Sequence, residues 1–319
     1  MTLAIRARLD PETIAALEAS SRHSLDPREL PADAIAAMRL TYAHERRFWN
    51  GVRVPLASVE NQAVDAAGLV TRLRLCRPLQ ELAGAALVYL HGGGFVAGSL
   101  ETDDRIMRLF AQEAGVTVVG VEYALAPEVR FPRQILQIGA VLDQLARLVE
   151  GEPLRVAIGG DSAGAHLALA VAKERRDRGV PLPMAMMLYQ GFYGLRDSAS
   201  RRLWGGEQGG LSDGAMAFAQ NAYLRGAEDR SDGRFDLLAG SAHGLPPAFI
   251  SAVALDPLHD DSVALAAMLR EAGVPVEFAV HHGVLHGFLH MRRVLPKALD
   301  AIRQGAAFLR RRLGGPPAR

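Results

Sequence analysis

The segment at residues 155–173 restricts the fold of this chain more than any other. Residues 156–158 form a short apolar run that ends at two glycines, which is typical of a buried strand. Residues 165–173 have strong helix propensity. Between them, residues 160–164 have the sequence Gly-Asp-Ser-Ala-Gly, which predicts a tight turn that strains Ser162 and exposes its hydroxyl. Because the helix N-terminus would stabilise a nearby oxyanion, we interpret Ser162 as a nucleophile.

A serine nucleophile requires a base to take its proton and an acid to orient that base. In a strand-turn-helix setting the expected chain order is Ser, Asp, His. Asp256 follows a predicted strand at 249–255, at the sheet edge where ligands bind in open α/β folds. His286 follows the last predicted strand, 276–280, and precedes Gly287. We therefore predict that His286 is the base and Asp256 its orienting acid.

Several neighbouring residues compete for these two roles. His281 and His282 lie at the end of the last strand, where a histidine is more often structural. His290 lies one helical turn beyond the predicted base. Asp260 and Asp261 have the position of N-terminal capping residues of the next helix. Position therefore favours the assigned pair.

A glycine-rich loop at residues 91–95, His-Gly-Gly-Gly-Phe, follows the strand predicted at 86–90. Three successive glycines let backbone N–H groups turn inward without a side chain in the way, as an oxyanion hole requires. Phosphate binding by this loop is disfavoured for two reasons. No Gly-Lys-Ser/Thr follows it, and Ala97 stands where the Gly-x-Gly-x-x-Gly motif requires its third glycine.

Strand and helix patterns alternate along most of the chain, which favours a parallel sheet covered on both faces. One segment, residues 191–243, contains a helical pattern near 216–224 but no good strand, as expected of an inserted lid. The other predicted strands are 69–75, 116–121 and 184–189, and the other predicted helices are 11–21, 31–48, 103–114, 131–150, 262–272 and 296–313.

Composition excludes several classes of function. Lys and Arg number 36 against 35 Asp and Glu, and no basic stripe indicates nucleic acid binding. The single cysteine, Cys76, excludes an internal disulfide and a cysteine-built metal site. Since no signal peptide or membrane span is predicted, we expect a cytoplasmic protein that does not bind membranes.

These motifs resemble the hormone-sensitive-lipase-like family of α/β-hydrolases and, within it, the bacterial acetyl esterases. The family motifs are HGGGF at 91–95, YALAPE at 123–128, GDSAG at 160–164, DPLHDD at 256–261 and HGF at 286–288. The similarity to acetyl esterases depends on ERRFWN at 45–50, DRIMRL at 104–109 and YGLRDS at 193–198. The chain departs from the common family pattern at Ala124 and at Ala165-His166, outside the predicted triad.

The resemblance implies an eight-stranded, mostly parallel sheet with helices on both faces and a helical cap. It also implies ester hydrolysis through an acyl-enzyme, without a cofactor or metal. In this chain the resemblance assigns the catalytic triad to Ser162, Asp256 and His286. The implied oxyanion donors are Gly93, Gly94 and Ala163, within a loop that includes His91 and Gly92.

We predict a single domain whose cap comprises residues 1–50 and about 191–243, over a catalytic core of about 51–190 and 244–319. The cap sequence is polar and glycine-rich, including Arg201, Glu207 and Gln208, unlike the apolar lid of a lipase. Bulky residues are expected to close the acyl side, which predicts preference for acetyl to butyryl esters. The predicted substrate-binding residues are Phe95, Asp161, Phe192, Trp204 and Phe288.

Two other functions remain compatible with the sequence. One is amide or formamide hydrolysis on the same triad, and the other is a small-molecule or regulatory binding role on a hydrolase fold. We expect a small-molecule ester as the partner, and the chain is compatible with a monomer or a homo-oligomer.

Overall fold

An eight-stranded sheet forms the centre of the computed structural model, which describes residues 3–51, 54–149, 154–206 and 210–314. The strand order is β1-β2-β4-β3-β5-β6-β7-β8. The pairs β1–β2 and β2–β4 are antiparallel and the other neighbours are parallel, which confirms the predicted sheet. The strands are β1 Ser58–Ala66, β2 Leu69–Arg77, β3 Ala85–Leu90, β4 Thr117–Glu122, β5 Arg155–Asp161, β6 Ala185–Tyr189, β7 Ala248–Val253 and β8 Val276–His281.

Helices cover both faces of this sheet. Alternate residues of β3 enter opposite hydrophobic cores, because successive strand side chains point to opposite faces. Val88 packs in the core that includes α5, α6 and α9, and Leu87 packs in the core that includes α4 and α10. The helices are α1 Leu3–Arg6, α2 Pro11–Arg22, α3 Ala34–Trp49, α4 Asp104–Ala114, α5 Arg133–Gln144, α6 Ala163–Asp177, α7 Ala199–Trp204, α8 Asp213–Tyr223, α9 His259–Glu271 and α10 Pro296–Leu313.

The turn between β5 and α6 packs directly against the end of β3. A Cβ at Gly160 would lie 2.2 Å from the Leu90 carbonyl oxygen, and one at Gly164 would lie 1.9 Å from the same atom. Real side chains do not approach so closely, so both positions require glycine. This contact brings Ser162 beside the glycine loop that follows β3.

The N-terminal helix α3 is fixed to that same glycine loop. Arg39 donates to the carbonyl oxygens of Val96 and Ala126 at 2.8 and 2.9 Å, and it forms an ion pair with Glu128. Since these bonds join α3 to the loop after β3, the helix lies beside the carboxyl edge of the sheet.

The structure differs from the predicted elements at β1 and at the helix predicted for 131–150, and it agrees with the prediction for 191–243. β1 was not predicted, because this edge strand is polar and much of it is exposed. The predicted helix 131–150 ends as an α-helix at Gln144, a 3₁₀ turn covers Leu145–Arg147, and Glu150 lies outside the described residues. Within 191–206 and 210–243 the structure has α7, α8 and a 3₁₀ turn but no strand; Glu207 and Gln208 lie outside the described residues.

The predicted capping role of Asp260 and Asp261 is wrong. α9 begins at His259, so both residues lie in its first turn. Asp261 is fully buried and accepts backbone N–H groups of Tyr193, Gly194 and Leu195, and Asp260 accepts the N–H of Ser200. The two carboxyl groups therefore hold the segment after β6, and burial raises the pKa of Asp261 to about 6.

Across 3–51, 54–149, 154–206 and 210–314, every helix is too short or too polar to cross a membrane.

Candidate active site

Ser162 lies between β5 and α6 with φ 52° and ψ −117°, in a region that side chains rarely adopt. Its N–H donates to the Tyr189 carbonyl at 2.8 Å, which fixes the turn against β6. Asp161 ends β5 and Ala163 begins α6, so Ser162 alone forms the turn between the strand and the helix. The predicted tight turn is therefore present.

Two hydrogen bonds connect Ser162 to the predicted base and acid. Nε2 of His286 lies 3.0 Å from Ser162 Oγ, and Nδ1 of His286 lies 2.7 Å from Oδ2 of Asp256. Asp256 is fully buried, and its other oxygen accepts the N–H of Leu258 at 2.8 Å. A carboxylate bound to Nδ1–H leaves Nε2 as the acceptor facing the serine hydroxyl.

The environment of His286 favours a protonated imidazole. Burial by itself lowers the pKa of this ring, but the charge and hydrogen bond of Asp256 oppose burial and raise the pKa above its ordinary value of 6.5. Asp256 therefore stabilises the imidazolium that forms when the ring accepts a proton.

The three residues predicted to supply oxyanion donors, Gly93, Gly94 and Ala163, border the same cavity as Ser162. Ala163 is the first residue of α6, so its N–H has no acceptor within the helix. Gly93 has φ +113° and Gly94 has φ +62°, and a Cβ at Gly93 would lie 2.2 Å from the Ala97 carbonyl oxygen. Glycine is therefore required where this backbone turns toward the serine.

A buried layer of polar groups supports the glycine loop from below. Asp161 Oδ1 accepts the Tyr89 hydroxyl at 2.8 Å and the Gly92 N–H at 3.1 Å. The Tyr123 hydroxyl donates to the His91 carbonyl at 2.9 Å, and the two rings stack at 4.2 Å. Burial lowers the pKa of His91 to about 4, so its imidazole is neutral and structural.

The cavity at Ser162 has a volume of about 290 Å³ and a lining of mixed character. Its apolar residues come mainly from α8 and the aromatic side chains. Its polar residues include Tyr42, Glu45 and Arg46 of α3. The apolar residues are Met38, Phe95, Phe192, Leu211, Ala215, Met216, Ala219 and Leu258.

A sequence profile described as the alpha/beta hydrolase fold matches residues 87–290, which include Ser162, Asp256 and His286. The chain belongs to the α/β-hydrolase family. The predicted resemblance to its hormone-sensitive-lipase-like members is confirmed by the relatives and structures to which this chain is similar.

Several proteins that are similar to this α/β-hydrolase are esterases. An acetyl esterase of Salmonella typhi is 40% identical over 295 residues, which cover 90% of each chain. An esterase structure from the archaeon Pyrobaculum calidifontis has a TM-score of 0.88 at 27% identity, covering 95% of this chain and 98% of that one. An ester hydrolase from the Lake Arreo metagenome, solved with a derivative of bipyridine phosphonate, has a TM-score of 0.87 at 33% identity; the match covers 96% of this chain and all (100%) of that one.

The structure brings three of the five predicted substrate-binding residues to the cavity of this α/β-hydrolase: Phe95, Asp161 and Phe192. The other two predictions require correction. Trp204 packs beside Leu255 and Leu285, beneath Arg8, because its side chain joins a small cluster with the N-terminal helices. Phe288 is fully buried against His281. Neither borders the cavity in the described part of the chain.

The competing histidines lie away from the Ser162 hydroxyl. His281 ends β8, where burial lowers its pKa to about 4. His166 Nδ1 lies 3.0 Å from the Phe192 carbonyl oxygen, so this ring packs beneath the turn. His290 is buried behind the site, beside Asp103.

Sequence reasoning included α3 in the predicted cap but assigned none of its side chains to the cavity. Met38, Tyr42, Glu45 and Arg46 all face Ser162 from this helix. The available signal was the Arg-Arg-Phe-Trp run at 46–49, in which two arginines stand beside an aromatic pair. Arg46 lies over the Tyr42 ring at 4.5 Å, and its side chain is 11% exposed.

Proposed function

We propose that this protein is a serine carboxylesterase that hydrolyses short-chain esters, acetyl to butyryl, through an acyl-enzyme on Ser162. The observation that supports this most directly is the hydrogen-bonded series from Asp256 through His286 to Ser162. It borders a cavity that is also lined by Gly93, Gly94 and Ala163, the proposed oxyanion donors. The similarity to acetyl esterases supports ester hydrolysis as the reaction.

In the acylation step, Ser162 Oγ attacks the ester carbonyl while His286 Nε2 accepts the hydroxyl proton. Asp256 holds the ring and stabilises the imidazolium. The carbonyl oxygen becomes an oxyanion that accepts hydrogen bonds from Gly93, Gly94 and Ala163. The carbon–oxygen bond to the alcohol then breaks, His286 returns the proton to the leaving oxygen, and Ser162 carries the acyl group.

In the deacylation step, water replaces the alcohol. His286 Nε2 takes a proton from the water as its oxygen attacks the acyl carbon, and the same three N–H groups stabilise the second oxyanion. Collapse breaks the bond to Ser162 Oγ, which receives the proton from His286. The products are a carboxylic acid and the free enzyme, so atoms and charge balance.

The size of the cavity supports short acyl chains. Its volume of about 290 Å³ must hold both the acyl group and the alcohol, and small-molecule sites commonly range from about 300 to 1,000 Å³. Each additional methylene gains about 0.8 kcal/mol only while empty apolar space remains. Met216 and Leu211 border this space, so longer acyl groups meet packed protein.

The predicted cap remains part of the proposal. We assign it to residues 1–50 and about 191–243, and we assign the catalytic core to about 51–190 and 244–319. The positions of α3 and α8 support the assignment, because both helices border the cavity at Ser162. The proposed partner is a small-molecule ester, and the cytoplasmic location and independence from cofactors stay predictions.

The test combines Ser162→Ala with p-nitrophenyl esters from acetyl to palmitoyl. We expect the variant to lose several orders of magnitude in kcat on the acetyl ester. A fluorophosphonate should label the wild-type protein at Ser162 and leave the variant unlabelled. Near-wild-type turnover by Ser162→Ala would contradict the mechanism, and a kcat/KM that rises through decanoyl would contradict the acyl preference.

A further inference from the structure

A second group of acidic and basic side chains lies buried behind Ser162 and has no role in the steps above. Asp103, Asp161 and His290 each offer an atom within 4.8 Å of the other two. All three residues are almost completely buried, at 0%, 2% and 3% exposure. Oδ1 of Asp103 and both ring nitrogens of His290 have no hydrogen-bond partner in the structure.

Hydrogen bonds connect this cluster to the glycine loop at residues 91–95, which we call the oxyanion loop. Asp161 Oδ1 accepts from Gly92 N–H and from the Tyr89 hydroxyl, as described above. The Thr102 hydroxyl lies 2.7 Å from Asp103 Oδ2. The nearest approach of His290 to Asp103 is 3.9 Å, between Nε2 and Oδ1, which is beyond hydrogen-bond distance.

The charges around the two carboxyl groups leave one negative charge without a partner. Arg46 attracts both carboxyl groups, but it also pairs with Glu45 at 3.3 Å, so it supplies at most one positive charge to them. Burial lowers the pKa of His290 well below 6.5, so this ring is neutral. The hydroxyls of Tyr42, Tyr89 and Tyr123 also face the pair and are neutral near pH 7. His286 acts on Asp161 as well, but its imidazolium charge is balanced by the carboxylate of Asp256, 2.7 Å away. Two ionised carboxylates would therefore exceed the local positive charge by at least one.

One proton bound to the pair of carboxyl groups neutralises this excess negative charge, and it requires the least change in the site. Two buried carboxyl groups in close contact do not ionise together readily, because each charge destabilises the other. A divalent cation would also bind oxygen and imidazole ligands. It would, however, add two positive charges beside Arg46, and Asp161 Oδ1 already has two donors.

We propose that Asp103 is a positioning residue, and that it shares one proton with Asp161 to hold the oxyanion loop in its active geometry. The proton gives Asp161 a donor on the side of Asp103, so its carboxylate stays bound to the Gly92 N–H. The N–H groups of Gly93 and Gly94 follow directly in the chain. When the pair loses this proton at alkaline pH, the two carboxylates repel each other and the loop shifts away from the developing oxyanion.

This inference depends on the proposed esterase function for its kinetic test, and it adds a measurement that does not. Burial raises the pKa of both Asp103 and Asp161, which agrees with a proton held by the pair near neutral pH. The most informative variant is Asp103→Asn, because its amide N–H can donate to Asp161 but cannot ionise. Asp103→Leu has a similar shape and cannot donate.

With p-nitrophenyl acetate, we expect Asp103→Leu to lose about tenfold to hundredfold in kcat at neutral pH with little change in KM, the usual effect of removing a hydrogen bond to a buried charge. Asp103→Asn should restore most of this loss. The wild-type kcat should fall at alkaline pH, and the kcat of Asp103→Asn should not fall over the same range. A merely structural role would not remove the alkaline limb.

Infrared difference spectra provide the readout that is independent of turnover. In the Ser162→Ala background, a carbonyl band of a protonated buried carboxyl should be present at neutral pH and absent from Asp103→Asn. If this band is missing and Asp103→Asn keeps the alkaline limb, the proposal is wrong even though esterase activity remains. If purified protein contains a stoichiometric divalent metal that Asp103→Leu loses, the cluster is a metal site and the shared proton is excluded. A different result, wild-type turnover by Ser162→Ala, would contradict the proposed esterase mechanism itself.

Discussion

His286 sets the pH range in which the proposed reaction proceeds. Its ring contacts Ser162 on one side and the buried Asp256 on the other. Asp256 stabilises the imidazolium and fixes the tautomer of the ring. The acid limb of the pH profile therefore reports the contact between these two side chains.

We expect kcat/KM to rise as His286 loses its proton, with a midpoint above pH 6.5, because the pKa of this histidine is raised from that value. Below the midpoint the imidazolium cannot accept the serine proton. Asp256→Asn removes the charge that raises the pKa, so the limb of the residual activity should move to lower pH. The measurement is kcat/KM for p-nitrophenyl acetate against pH. A midpoint that stays in place in Asp256→Asn would contradict the assignment of Asp256.

At the scale of helices and strands, sequence patterns predicted the elements that bury an apolar face. The last helix was predicted at 296–313 and is observed at those bounds, because it begins at a proline and packs an apolar face against the sheet. The order Ser162, Asp256, His286 was also visible, since each residue follows a strand and parallel strands end at one edge.

Long-range packing explains what the sequence did not reveal. β1 pairs along its whole length with β2, yet its exposed polar face lacks a strand pattern. Trp204 is a large residue of the predicted cap, and Phe288 is two residues from His286. Both side chains nevertheless pack against other parts of the protein and not in the cavity. Residues 1–50 were predicted as part of the cap, but the α3 side chains that border the cavity depend on Arg39 bonds to residues more than 50 positions away, which local patterns do not encode.

The helix α8 gives a prediction about acyl length. Met216 is 8% exposed and borders the cavity at Ser162, so Met216→Ala should open space for longer chains. If a few methylenes enter that space, each contributes about 0.8 kcal/mol, and the ratio of octanoyl to acetyl kcat/KM should rise at least about tenfold. Phe218→Ala is the control, because Phe218 lies on the same helix but is 39% exposed. An unchanged ratio in Met216→Ala would show that this wall does not limit the acyl group.

At the scale of the whole molecule, two adjacent aspartates connect α9 with the segment between β6 and α8. Asp261 accepts three backbone N–H groups and Asp260 accepts one, from residues more than 55 positions earlier in the chain. These bonds fix the base of a segment that contributes one wall of the cavity. Folding stability and the shape of the cavity therefore depend on the same pair of side chains.

Asp261→Ala should lower the free energy of unfolding by about 3 kcal/mol or more, because one buried and two partly buried N–H groups lose their acceptor. The melting temperature should fall by about 6 °C or more. Asp260→Ala removes one acceptor and should cost about 1 kcal/mol. Thermal unfolding followed by circular dichroism compares the two, and equal losses would contradict the assigned role of Asp261.

The backbone angles of Ser162 imply that natural selection has accepted a shorter lifetime of the folded protein in return for turnover. A φ of 52° with ψ −117° costs a side-chain-bearing residue on the order of 1–3 kcal/mol, whereas glycine adopts these angles freely. Ser162→Gly should therefore be inactive but unfold at a temperature about 2 °C higher than Ser162→Ala, which keeps the β-carbon. If the two variants melt together, the turn imposes no such cost. If Ser162→Gly melts at the higher temperature, thermal stability and catalytic activity compete at this one position. Engineering of a more stable esterase must then change residues elsewhere in the chain.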